Sequence, residues 1–159
     1  MSSEATQSAE EIDTDHLPPN PTHDWILANL VDLANQSGLE QDVTLFIGGT
    51  VISGMMIPAK AYLDEVAAGY RATVVDPAMR EAIDSLAKSF ADTKERLDRI
   101  QESTPAGAPP RVGYIHLRNA KVHSPGMPEM PGGDGMLWRG RLSRVDAFTL
   151  GSLKPASVR

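Results

Sequence analysis

The first stretch with a regular pattern of apolar residues is a helix that begins just after residue 23. The residues at helical spacing on its apolar face are Ile26, Leu30, Leu33 and Ala34. Thr22 or Asp24 is suited to cap the first turn, and Gly38 is suited to end the helix. This pattern predicts an amphipathic helix whose apolar face packs on the rest of the domain.

Residues 43–54 have the pattern of a tight β-hairpin. Val43 and Ile47 point to one face and Phe46 to the other, and the adjacent Gly48 and Gly49 suit a turn with positive φ. Another glycine, at position 54, interrupts the second strand. An interior glycine in a strand usually marks a bulge or a sharp bend, as at the corner of a small barrel.

The middle of the chain changes to helical spacing. A first helix begins near Pro58, and a second, of about 25 residues, begins with Asp76 as cap and Pro77 in its first turn. The apolar residues of the second helix follow a heptad pattern: Met79, Ile83, Leu86, Phe90, Leu97 and Ile100. We favour packing of this seam on the chain's own barrel, and an intermolecular coiled coil is the alternative.

After the linker at residues 104–110, alternation with period two returns. Tyr114, His116, Arg118 and Ala120 are expected on one face of a strand and Ile115 on the other. Further strands are predicted within residues 137–153. Together the elements predict an α+β fold, a small antiparallel barrel with a preceding helix and a helical insertion at residues 58–104.

The domain is therefore placed at residues 24–153, between two tails. Residues 1–23 contain five acidic residues and no Lys or Arg, so we expect a disordered acidic tail. Residues 154–159 form a short C-terminal tail. The chain has no cysteine and no run of about 20 apolar residues, so a soluble cytoplasmic protein is expected.

The net charge of −6 conceals a division of charge along the chain. Residues 105–159 hold eight basic and three acidic residues, a net charge of +5, whereas residues 1–104 hold seven basic and 18 acidic residues, a net charge of −11. This division permits a basic patch on an acidic protein, and it permits association between the acidic and basic parts of neighbouring copies.

The sequence offers no constellation of residues for catalysis or for a cofactor. His116 and His123 are expected on opposite faces of their strand, so they do not suit a shared metal. Ser53 and Ser143 have no histidine nearby in the predicted strands, and phosphate-binding glycine loops are absent. We therefore predict a protein that is not an enzyme and that has no metal or cofactor.

Basic and aromatic residues in the last strands suggest a binding surface. The predicted partner-binding residues are Arg118, Lys121, Trp138, Arg139, Arg141 and Arg144. Arginines beside an aromatic ring suit bidentate contacts with carboxylates or phosphates. The alternative is that Trp138 belongs to the core and the arginines surround it as a solvated rim.

Three segments resemble a known family. The hairpin followed by a strongly bent strand resembles the first half of an Sm-like domain, and "GYIHLRNAKV" resembles the second half. More closely, "DVTLFIGGTVISGMMIPAKAYLDE", "YIHLRNAKVHSPG" and "WRGRLSRVDAFTLGSL" are similar to the gas vesicle accessory protein U family, over residues 25–70 and 112–153.

The resemblance implies a non-enzymatic cytoplasmic protein that associates with itself and organises or clusters gas vesicles. Its implied partners are further copies, joined through edge strands into a ring, and gas vesicle proteins or the vesicle surface. The alternative function is an Sm-like ring that binds RNA through an arginine-rich face formed by Arg118, Arg139, Arg141 and Arg144. We do not favour RNA binding, because Asn119 stands where an Arg-Gly pair would continue the Sm RNA-binding motif after Arg118.

Overall fold

A computed structural model describes residues 23–73, 76–103, 105 and 111–153 as an α+β fold. The helices are α1 (Trp25–Ser37), α2 (Ala59–Thr73) and α3 (Pro77–Glu102). The strands are β1 (Gln41–Ile47), β2 (Thr50–Met56), β3 (Tyr114–His123), β4 (Met136–Arg141) and β5 (Ala147–Leu150). The predicted tails lie outside the described residues, apart from His23.

The five strands form one antiparallel sheet in the order β4-β3-β2-β1-β5. A 3-10 turn, Leu142–Arg144, follows β4 and leads to β5 at the opposite edge. The sheet is open, because β5 pairs with β1 and no ladder joins β5 to β4 within the described residues. The prediction of a closed barrel is therefore wrong, whereas the predicted α+β class and antiparallel pairing are confirmed.

The predicted hairpin and its bend are confirmed. Gly48 and Gly49 have φ of 53° and 80° and join β1 to β2 in a continuous register. The register between β2 and β3 shifts between Ser53 and Met55, so Gly54 lies in a bulge. A Cβ atom on Gly54 would lie 2.9 Å from the Cα of Ala120, which explains why this position suits glycine.

Helix α1 has the predicted caps but a different buried face. Asp24 Oδ1 accepts hydrogen bonds from the first-turn amides, and Gly38 ends the helix with φ of 76°. The residues that face the sheet are Leu27, Ala28, Val31 and Ala34. Ile26 and Leu33, which we predicted on that face, are 46% and 49% exposed. Asn35 lies on the buried side of the helix, and its Oδ1 accepts a hydrogen bond from the Ala59 amide. This contact helps to fix the rotation of the helix.

The side chains of β3 that point into the core change their alternation along the strand. Ile115 and Leu117 are fully buried in the core, and so is Ala120, which we predicted on the face of His116. The cause is an irregularity at Asn119, which has a φ of 53° and lies where the β3–β4 register shifts. One extra residue in a strand moves every later side chain to the other face.

Helices α2 and α3 form an antiparallel pair. Ion pairs join Lys60 to Asp98, Asp64 to Lys94 and Arg71 to Asp84, in opposite order along the two helices. The predicted long helix is confirmed at 26 residues. Its main packing partner is α2, and α2 in turn contacts β3. Our favoured interpretation, a seam packed on the barrel, is therefore wrong, and the coiled-coil alternative is untested.

Candidate partner-binding surface

The pairing of β3 with β4 places aromatic and basic side chains together on one face of the sheet. His116 lies opposite Arg139 and Tyr114 lies opposite Arg141. Side chains two residues apart share a face, so these four belong to the same side. The guanidinium carbon of Arg139 lies 3.5 Å from the centre of the Tyr114 ring, and Arg139 Nε donates to His116 Nε2 at 3.3 Å. Stacking and a hydrogen bond therefore position Arg139.

His116 lies beneath this arrangement and is 7% exposed. Its ring packs against Tyr62 of α2 with 4.7 Å between ring centres. Burial, and then the positive charge of Arg139, lower the pKa of His116 to about 4. Because Nε2 accepts from Arg139, the neutral ring carries its proton on Nδ1, which has no hydrogen-bond partner among the described residues.

Trp138 lies on the opposite face from Arg139, and it packs against the core. Its ring covers Gly140, since a Cβ atom there would lie 2.0 Å from Trp138 Cη2. The structure thus separates Trp138 from the arginines with which the sequence groups it. The arrangement favours a scaffold role for Trp138 rather than stacking on a ligand.

Gly140→Ala is expected to displace the Trp138 ring and destabilise the fold by about 1–3 kcal/mol, because the added methyl group takes the space of the ring. In a Trp25→Phe background, tryptophan fluorescence should shift to longer wavelength and urea unfolding should show the lost stability. Gly69→Ala is a matched control: no atom lies within 4 Å of its added Cβ, and this helical site should gain about 0.5–1 kcal/mol. Parent-like emission and stability in Gly140→Ala would contradict the packing described.

Arg118 and Lys121, which the sequence groups with the same binding surface, are engaged within the chain. Arg118 donates to both carboxylate oxygens of Glu40, at 3.0 and 2.9 Å, and it pairs with Glu65 of α2. The hydrogen bonds to Glu65, followed by those to Glu40, raise the pKa of Arg118. Lys121 pairs with Glu129. Glu40 and Glu65 are far from Arg118 along the chain, and Glu129 lies across the loop that follows β3, so sequence spacing did not predict these ion pairs.

The three remaining arginines are differently placed, and we call them the arginine edge: Arg139, Arg141 and Arg144. Arg141 and Arg144 are exposed. Within the described part of the chain, none of the three forms an ion pair with a carboxylate. The turn that carries Arg144 is held by Leu142, which is buried and donates its amide to Gly113 O at 3.0 Å. The arginine edge is therefore an uncompensated cationic surface on a firm backbone.

A serine and a histidine meet beside the bulge, contrary to our expectation for Ser53. Ser53 Oγ lies 2.7 Å from His123 Nε2 because the β2–β3 register makes them diagonal neighbours. A cleft of about 270 Å³ adjoins Ser53 and is also lined by Asp42, Asn119 and Glu129. Among the described residues no carboxylate orients His123, so the pair lacks the third member of a hydrolytic triad. The described residues also contain no group of three or more His, Asp or Glu arranged for a metal.

Comparison with known proteins identifies the family of the chain. A family model described as "Gas vesicle protein GvpU-like" matches residues 24–153. The chain belongs to the GvpU-like family. No curated protein and no solved structure matches it with significance.

GvpU-like membership confirms the resemblance noted in the sequence and indicates an accessory role around gas vesicles. The GvpU-like family is not a known enzyme family, and it gives no support to the RNA-binding alternative. The match includes the arginine edge and the α2–α3 pair, and the acidic residues of the N-terminal tail precede it. In the described part of this GvpU-like chain, no helix is both long enough and apolar enough to span a membrane.

Proposed function

We propose that the protein is a non-enzymatic, cytoplasmic accessory protein that associates with itself and thereby clusters gas vesicles. The observation that carries this proposal is the open sheet, whose two edge strands β4 and β5 differ in chemistry. Unpaired edge strands are templates for pairing with another chain. Family membership supports the gas vesicle as the partner of this assembly.

The chemistry of the two edges favours pairing of unlike edges. The β4 edge carries Arg139 and Arg141, so two β4 edges repel each other. The β5 edge is uncharged, and its Leu150 is 56% exposed. Pairing β4 of one copy with β5 of the next is a head-to-tail contact, which closes into a ring or extends as a filament. This mode also agrees with the Sm-like resemblance, in which edge strands join subunits.

An assembly of many copies is suited to clustering because it repeats the same vesicle-binding surface. A ring or filament presents the same vesicle-binding surface many times, and linked weak contacts reach a far higher combined affinity than one contact alone. An assembly of this kind can hold two vesicles at once. A single copy with one binding surface cannot.

Leu150→Lys tests the proposal because it places a cation on the β5 edge, which is proposed to pair with the arginine-bearing β4 edge of the next copy. The parent is expected to have a mass well above the 17.1 kDa of one chain, and the variant should shift toward that value and disperse the vesicles. Light scattering measures the mass, and microscopy of vesicle-forming cells measures clustering. Leu153→Lys is the matched control, since Leu153 is 48% exposed but lies after β5.

Two results would refute the proposal. One is a parent protein that stays at the mass of a single chain under conditions in which it clusters vesicles. The other is a Leu150→Lys protein that associates and clusters as the parent does while remaining folded.

A further inference from the structure

The arginine edge differs from the other cations of the sheet. Four basic side chains lie on the strands: Arg118, Lys121, Arg139 and Arg141. The two on β3 are neutralised by Glu40, Glu65 and Glu129 of the same chain. The two on β4 and the neighbouring Arg144 have no carboxylate partner among the described residues. The basic residues of β3 are thus paired with acidic residues of the same chain, whereas those of the β4 edge can bind an anionic partner.

The chain itself contains an anionic segment that matches this edge. Its acidic residues are Glu4, Glu10, Glu11, Asp13 and Asp15, and no Lys or Arg lies between residues 1 and 23. This segment precedes the region that matches the family. Arginine is the cation best suited to carboxylates, since its planar guanidinium binds both oxygens of one group.

We propose that the acidic segment at residues 4–15 binds the arginine edge of its own chain. This inference extends the proposed function, because β4 is one of the two edges used for self-association there. An occupied arginine edge is unavailable to the β5 edge of another copy. The acidic segment therefore acts as an internal competitor that limits assembly.

Chain length favours the same chain over a neighbour as the source of the acidic segment. Asp15 precedes Asp24 by nine residues and Glu4 precedes it by 20, so extended chain can span at most about 32 and 72 Å. A domain of this size is about 30–40 Å across, so most or all of its surface is within reach. A tethered segment acts at an effective concentration in the millimolar range, far above that of free protein in a dilute solution.

The contact is expected to be sensitive to salt. Arg141 and Arg144 are exposed, and ions at 0.1 M screen charges beyond about 10 Å. Raising the ionic strength, or adding a denser anionic partner, should release the segment. Conditions that free the arginine edge are therefore those under which assembly is promoted.

The test uses the full chain and a synthetic peptide of residues 1–23 as the probe. In the charge-neutral variant, Glu4, Glu10 and Glu11 become Gln, and Asp13 and Asp15 become Asn. This variant should bind the labelled peptide at least tenfold more tightly than the parent at 50 mM NaCl, because its own segment no longer occupies the edge. Fluorescence anisotropy measures the affinity, and binding should weaken steeply with added salt.

Substitution within the arginine edge tests whether the acidic peptide binds there. Adding Arg141→Ser and Arg144→Ser to the charge-neutral variant should abolish peptide binding. Adding Arg80→Ser and Arg96→Ser instead changes the net charge equally at exposed sites of α3, and it should preserve binding. Circular dichroism confirms that each variant is folded.

Three outcomes would overturn the inference. The first is equal peptide affinity of the parent and the charge-neutral variant, and the second is equal loss of binding in the edge and α3 variants. The third is a lower oligomeric mass for the charge-neutral variant than for the parent, which would assign the segment to a neighbouring copy. If peptide binding fails but the parent still associates through β5, the inference falls and the proposed function stands.

Discussion

Gly54→Val is expected to destabilise the protein by about 3 kcal/mol or more. A Cβ atom at position 54 would lie 2.9 Å from Ala120 Cα and 3.0 Å from the carbonyl oxygen of Arg118. Both are backbone atoms, so they cannot rotate away as a side chain would, and the added methyl groups of valine enlarge the conflict. The strands must separate at the bulge, where two register shifts already meet.

Urea unfolding followed by circular dichroism measures this loss, with Gly54→Ala as an intermediate step. Gly113→Val is a suitable control because no atom lies within 4 Å of its added Cβ, and a change within about 0.5 kcal/mol is expected there. Equal stability of Gly54→Val and the parent would show that the strands do not approach as described.

Lowering the pH is expected to destabilise the fold through His116 by roughly 3 kcal/mol between pH 6.5 and pH 4. Burial and the charge of Arg139 lower the pKa of His116 in the folded state from 6.5 to about 4. Between these two values the unfolded chain binds a proton that the folded chain does not. The stabilisation is therefore complete above pH 6.5 and is lost as the pH falls toward 4.

His116→Gln separates this effect from the titration of carboxylates, because glutamine does not titrate and still offers an acceptor to Arg139. The stability of the parent should fall more steeply than that of the variant between pH 6.5 and 4.5. An NMR titration of the His116 ring should give a pKa of about 4. A midpoint near 6.5, or parallel stability curves for the two proteins, would contradict the buried, neutral state.

Local patterns in the sequence predict most of the helices and strands. Gly48, Gly49 and Gly54 mark the turn and the bulge because their backbone demands are local. The heptad pattern likewise predicts α3 nearly to its ends. What these patterns cannot give is the partner of each element, because α3 could satisfy the same apolar seam on a sheet, on α2 or on another copy.

The candidate surface shows the same division. Alternation correctly groups His116 with Tyr114, but it fails at Ala120 because the irregular residue Asn119 has no strong sequence signal. The contact of Ser53 with His123 and the neutralisation of Arg118 depend on register across strands and on helix placement. The sequence therefore identifies the basic residues, but only the fold shows which of them have no acidic partner among the described residues.

The antiparallel pair of α2 and α3 extends beyond the part of α2 that contacts the sheet, and its length can vary independently of the sheet. α2 contacts the sheet near Tyr62 and Glu65, and its later residues from 68 to 73 are exposed. α3 is 26 residues long, or about 39 Å at 1.5 Å per residue. Whole turns added to or removed from both helices would therefore change the length of the pair and leave the sheet unchanged. In the proposed assembly, such a change is expected to alter the distance between neighbouring vesicles.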